Sequence, residues 1–210
     1  MNRRPFHRAP EGERRQDLID ATLDAIAEFG LQGATVRQIA VKAGVTAGLV
    51  RHYFASKDQM VAEAYREMLS TFAAKAADID GDAVTRLRRF ITLNLTAPVA
   101  DGRSLSLWAS FISQVRVDPE LAAIHRDGYL AFRNDLQGLI HDVLATGGRQ
   151  PSAADCRRHA IAINGMIDGL WLEGCLAGEL FDEAELVSIA LDSIEALLGT
   201  GLGRETTLSA

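Results

Sequence analysis

Apolar residues recur along this chain at intervals of three and four rather than two, the period of an amphipathic helix and not of a strand. Between positions 13 and 29 the stripe is Leu18, Thr22, Ala25, Ile26 and Phe29, and Gly30 and Gly33 follow where such a helix should stop. Thr35-Val-Arg-Gln38 reads as a capping box: the hydroxyl accepts from an early backbone N–H and the Gln side chain reaches back. It opens a short helix to about Ala43, with Val36, Ile39, Ala40 and Ala43 on its inner face. Gly44 breaks that helix, and Thr46 caps a third one running to about Phe54. Ser56-Lys-Asp-Gln59 is a second capping box, opening a long fourth helix striped by Met60, Ala64, Met68 and Phe72.

The pattern continues downstream. Gly81 separates two helices, and Pro98 with Asp101-Gly102 ends the fifth. Asp118-Pro119-Glu120 combines a cap, a first-turn proline and a favourable carboxylate. Gly147-Gly148 ends a long seventh helix, and Ser152-Ala-Ala-Asp155 and Asp182-Glu-Ala-Glu185 open the last two. The predicted fold is all-α with about nine helices: an N-terminal three-helix helix-turn-helix domain and a larger C-terminal helical domain. The expected division is 1–57 for the head, 58–200 for the body and 201–210 for a flexible tail, the chain reading as loose from about Leu198 onward. A candidate boundary also lies within or just after the fourth helix, because the composition turns acidic there. The tail glycines neither follow a strand nor open a helix, so they form no phosphate cradle.

Composition adds limits. With 210 residues, 48% hydrophobic and 24% charged, the chain can bury a substantial core and has the balance of an ordinary globular protein. No apolar run approaches the roughly 18 residues that span a bilayer. Residues 1–10 are polar and Arg-rich without the apolar stretch of a secretory signal, so a cytoplasmic location is expected. Cys156 and Cys175 lack metal-type spacing and read as reduced thiols; the histidines form no ligand cluster, so no metal and no cofactor are expected.

The net charge of −6 conceals an asymmetry. Residues 1–57 hold nine Lys/Arg against six Asp/Glu, whereas the rest holds 13 against 22. A basic head on an acidic body suits a head that meets a polyanion.

The informative stretch is 35–57. A helix-turn-helix needs a tight turn, for which Gly44 is suited, and apolar residues holding the two helices at a fixed angle. Ile39, Ala40, Val45, Leu49 and Phe54 are placed for that. The second helix must present small or polar residues to enter the major groove, and Thr46, Ala47, Gly48, Arg51 and His52 fit. The string Thr35-x3-Ile39-Ala40-x2-Ala43-Gly44-Val45-Thr46-x2-Leu49-x3-Tyr53-Phe54-x2-Lys57 resembles the DNA-binding signature of the TetR family of regulators, over roughly residues 13–60. The family commonly has Tyr where Arg51 stands and His where Tyr53 stands, so Arg51 is a departure.

That resemblance implies phosphate contacts from Thr35, Lys57 and the Tyr53 hydroxyl, with Thr46, Ala47, Arg51 and His52 facing the groove. Arg51 and His52 are the candidates for base edges. Arg3, Arg4, Arg8, Arg14 and Arg15 read either as an arm following the DNA or as a solvated arm. So small a head needs two copies, and a homodimer on a (pseudo)palindromic operator is expected. The resemblance puts the dimer contact on the last two helices, about 152–177 and 182–198, with Ile161, Leu170, Ile189, Leu197 and Leu198 as its apolar candidates.

The segments around Trp108 and Trp171 are similar to the BetI-like branch of this family, whose namesake responds to choline. A quaternary ammonium is held by aromatic faces and a nearby carboxylate, which Trp108, Phe111, Trp171 and Asp168 could supply. The bland reading of these side chains is core packing and a satisfied carboxylate; Asn94 and Gln114 are weaker candidates. The expected function is a ligand-released repressor. The alternative is an all-helical ligand-binding or interaction protein without DNA binding. No nucleophile elbow, zinc-hydrolase, P-loop or dinucleotide motif occurs in the sequence, so no enzyme is expected.

Overall fold

The computed structural model describes residues 11–77, 79–146, 148, 150–182 and 184–202. They form nine α-helices and one 3-10 turn: α1 (Glu11–Gly33), α2 (Val36–Lys42), α3 (Ala47–Tyr53), α4 (Lys57–Ala77), α5 (Ala83–Leu95), α6 (Gly102–Ile112), α7 (Pro119–Thr146), α8 (Ala153–Ala177), a turn at Gly178–Leu180, and α9 (Glu185–Leu198). No strand occurs among the described residues, as the helical period requires.

The chain forms two compact units, one running up to Met68 and including Ser106–Ile124, the other Leu69–Leu105 with the chain from His125 onward. The division falls inside α4. A stacked ring pair joins α6 to α4 within the first unit. Tyr65 of α4 and Phe111 of α6 are fully buried, with centroids 4.2 Å apart and planes 4° from parallel. Arg66 and Glu120 pair at 3.0 Å in the same unit. A distant stretch of sequence thus completes the first unit.

The first unit's buried side chains include Leu18, Ile26, Ile39, Val50, Phe54 and Met60. The second unit's include Leu87, Phe90 and Ile91 of α5, Leu136 and Ile140 of α7, Ile163 of α8, and Ala190 and Ile194 of α9. Each large one contributes about 1.5–3 kcal/mol on burial.

Several caps match the sequence and two do not. Asp118 Oδ1 accepts from the N–H groups of Glu120 and Leu121, and Ser152 Oγ accepts from Asp155. Asp101 opens α6 instead of closing α5, because its carboxylate takes the Ser104 N–H at 2.6 Å. At the start of α9 no side chain caps the helix; Ala184 is the cap, and Glu185 reaches back to the Asp182 N–H at 3.3 Å.

One residue expected in the tail belongs to the core instead. Leu202 is only 1% exposed and belongs to the second unit's core. Its N–H donates to Glu195 Oε1 at 2.6 Å and its carbonyl accepts from Arg88. Residues 203–210, like Arg3, Arg4 and Arg8, lie outside the described residues.

Candidate nucleic-acid interface and ligand site

The α2–α3 turn is built from its glycine. Gly44 has φ +63°, and its N–H donates to Val41 at 3.1 Å while the Val45 N–H donates to Ala40 at 2.9 Å. This pair of bonds is the Schellman closure of a helix end, which needs a residue at positive φ. At the other end of α2, Thr35 Oγ1 accepts from the Gln38 N–H at 3.3 Å, and Gln38 Oε1 accepts from the Thr35 N–H at 2.9 Å. Thr46 caps α3 through the Leu49 N–H at 3.2 Å. Both short helices are therefore held at their ends before packing is counted, which matters because seven residues make a poor helix alone.

The faces of α3 separate cleanly. Val50 and the following Phe54 are buried, while Thr46, Gly48, Arg51 and His52 are exposed and Ala47 and Tyr53 are half-buried. The His52 and Tyr53 rings meet edge-on at 5.5 Å. Val45 and Leu49, expected inside, are only half-buried; Val50, which the sequence reading missed, takes the deep position. Its signal was the four-residue step to Phe54. Residues 35–57 contain no Asp or Glu, so Arg37, Arg51 and His52 are exposed on a surface that carries no carboxylate of its own. Arg37 was also missed.

Three cations brace this head from behind. Arg14 and Arg15 belong to α1 and not to an arm. Arg15 pairs with Glu63 and lies 4.9 Å from the Phe54 ring centroid. Lys42 pairs with Glu28 at 2.7 Å. Lys57 Nζ donates to the Leu31 carbonyl at 2.7 Å. Its ammonium thus has an internal partner as well as the phosphate role that the resemblance implies.

The four expected ligand residues divide between the units. Trp108, 40% exposed, and the buried Phe111 belong to the first. Asp168 and Trp171 belong to the second, and the Trp171 indole N–H donates to the Val99 carbonyl at 2.8 Å. Asn94 is buried and returns its amide to the Phe90 carbonyl at 2.8 Å. Gln114 donates to Ser113 Oγ at 3.2 Å.

Beside Asp168 lies a polar cluster that the sequence reading did not name. Asn164 Nδ2 donates to the Tyr129 hydroxyl at 2.7 Å and to Asp168 Oδ2 at 3.0 Å. Burial pushes the Asp168 carboxyl above its ordinary range, and the Asn164 bond pulls it partly back. Burial and the Asp168 charge raise the Tyr129 hydroxyl, and burial lowers His125. The available signal was a polar residue between Ile163 and Ile167 on the inner face of α8.

Of the five dimer candidates, Ile161, Ile189 and Leu197 are exposed, Leu170 is half-buried and Leu198 is core. Leu172 and Leu176 add to the exposed apolar side of α8.

Residues 18–64 match the family described as bacterial regulatory proteins, tetR family, and residues 83–199 match the BetI-type transcriptional repressor C-terminal family. The HTH-type transcriptional regulator BetI of Paraburkholderia phytofirmans is 33% identical over 196 residues, covering 89% of this chain and 94% of that protein. BetI of Pseudomonas aeruginosa is 32% identical, covering 90% and 95%. A solved transcriptional regulator from P. aeruginosa PAO1 superposes with a TM-score of 0.79 at 30% identity, covering 92% and 94%. A regulator from Saccharomonospora viridis, solved in complex with choline, shares the fold with a TM-score of 0.71 at 21% identity, covering 88% and 97%.

Proposed function

The chain belongs to the TetR family of bacterial regulators and has a BetI-type C-terminal region, and from that premise we propose that this DNA-binding transcriptional repressor acts as a homodimer released from its operator by a small organic cation. The observation that carries the reading is the α3 surface. Arg51 and His52 are exposed on a carboxylate-free stretch whose opposite side is anchored by Val50 and Phe54.

In this reading α3 enters the major groove. Ala47 and Gly48 let its backbone approach, and Arg51 and His52 reach base edges. Tyr53, Thr35 and Lys57 contact phosphates, which positions the helix without reading sequence. Two copies are joined through α8 and α9. The exposed Ile161, Leu172, Leu176, Ile189 and Leu197 support this contact, since such a set is more apolar than an isolated surface needs. The dimer works in the bacterial cytoplasm, where the operator is.

The ligand reading rests on Asp168 and Trp171, a carboxylate and an indole one helical turn apart on α8. Choline is the first candidate. Release requires that the ligand favour a separation of the two heads that does not fit the operator. Its effect is bounded by its differential affinity for the two states, on the order of 1–3 kcal/mol. Titrating choline into a protein–operator complex while following band shift and tryptophan fluorescence tests both halves. Loss of the shifted band supports the reading. An unaltered band and fluorescence at saturating choline would remove choline as the effector.

A further inference from the structure

Among the described residues two buried side-chain oxygens accept no hydrogen bond, Glu63 Oε2 and Asn164 Oδ1. The first is ion-paired with Arg15. The second belongs to a side chain 1% exposed, both of whose amide protons are already given, to Tyr129 and to Asp168. Turning the amide over would set its oxygen against the Asp168 carboxylate, so the carboxylate fixes the orientation. A buried acceptor left unpaired is costly, and such a group in a native fold marks a place where something else binds or moves.

The surroundings indicate what that is. Asp168 lies beside it with one side open to solvent, although neighbouring groups partly desolvate its carboxyl, and its Oδ1 is not engaged by Asn164. The Tyr129 hydroxyl accepts from Asn164 and still has its own proton to give. The His125 ring stacks on Tyr129 at 5.9 Å, and the Arg133 guanidinium stands 5.9 Å from the same ring. All of these groups lie in the second unit, on α7 and α8.

We propose that Tyr129, Asn164 and Asp168 bind an organic cation that carries a hydrogen-bond donor, its charge meeting Asp168 and its hydroxyl or N–H group meeting Asn164 Oδ1. The proposal rests on the cation-effector reading above and narrows it. A quaternary ammonium without a hydroxyl satisfies Asp168 and leaves the amide oxygen orphaned. A zwitterion with a carboxylate in place of the hydroxyl brings an acceptor to an acceptor. Asn164 Oδ1 is closed to solvent, so neighbouring side chains part when the donor enters. Binding therefore includes a local rearrangement between α7 and α8.

Calorimetric titration of the full chain with choline, ethanolamine, tetramethylammonium and glycine betaine tests this without any variant. Choline and ethanolamine should bind at least ten-fold more tightly than tetramethylammonium, and betaine should bind more weakly still. In Asn164→Val the preference for choline over tetramethylammonium should collapse toward unity. In Tyr129→Phe, which keeps the amide oxygen, the preference should persist, and thermal unfolding of both variants establishes that they are folded. Equal affinity of the wild type for choline and tetramethylammonium overturns the donor site while leaving a cation effector. Binding of none of the four overturns both.

Discussion

Lys57, the first residue of α4, donates its ammonium to the carbonyl of Leu31, just beyond the point where Gly30 (φ +69°) interrupts the helical path of α1. A carbonyl at a helix end lacks an intrahelical donor, and a cation there also meets the negative end of the dipole. One side chain therefore ties the start of α4 to the end of α1.

Lys57→Ala should accordingly lose stability as well as DNA affinity. A hydrogen bond to a charged group is worth about 1.5–3 kcal/mol when partly buried. Chemical denaturation gives the first effect. The second separates by salt: if the ammonium also reaches a phosphate, the slope of log K against log salt should become shallower by about 0.9 for each protomer bound, about 1.8 for the dimer. An unchanged slope would confine Lys57 to bracing the head.

Arg51→Ala and Tyr53→Phe should differ in kind. Removing the guanidinium should relax preference at one or two base pairs, by about 1–3 kcal/mol at each. Removing the hydroxyl should weaken all sequences alike and leave the salt slope unchanged, since no charge is lost. Binding arrays of single-base operator variants distinguish the two patterns.

Leu197 and Leu198 are neighbours with opposite exposures, 39% and 3%. Leu197→Glu should give folded monomers by light scattering, because the charge enters an interface between copies and not a core. Leu198→Ala should leave the dimer contact in place and cost about 2–5 kcal/mol of folding stability. A Leu197→Glu protein that remains dimeric would move the interface elsewhere.

Cation binding should weaken on acidification, beginning at a higher pH than an ordinary carboxylate would give. Burial raises the Asp168 carboxyl, so it takes up its proton early as pH falls, and the protonated form does not attract a cation. His125, lowered by burial, gains its charge in the same direction but at a lower pH than an ordinary imidazole, and Tyr129 stays neutral, with the Arg133 guanidinium 5.9 Å from its ring. The folding sign is opposite: a raised carboxyl pKa favours the folded state when protonated, and that contribution is lost as pH rises through the folded pKa. Calorimetry from pH 4 to 8 on wild type and Asp168→Asn checks this: the substitution should weaken binding at every pH and remove the early fall, leaving to His125 whatever pH dependence remains.

The head was legible because its determinants are local. Gly44, the Thr35–Gln38 box and Thr46 act within a few residues, and each makes the bonds its spacing implies. Features made by distant sequence were not legible. Phe111 completes the first unit through Tyr65, 46 positions earlier by number. Leu202, in a glycine-rich stretch, is drawn into the core by bonds to Glu195 and Arg88. Asn164 is conspicuous only once Tyr129 is seen across from it. The division of the ligand candidates between two units follows from the same long-range packing.

The central claim, that α3 reads DNA as one of a pair, is tested most directly by selecting bound duplexes from a random pool with the full chain at moderate salt. The expected result is enrichment of a (pseudo)palindrome whose half-sites lie on one face of the duplex, about one helical turn or a multiple apart. Affinity for it should fall as salt rises, and the enriched bases should change in Arg51→Ala. A pool that stays random, with no salt-dependent binding by the wild type, would contradict it.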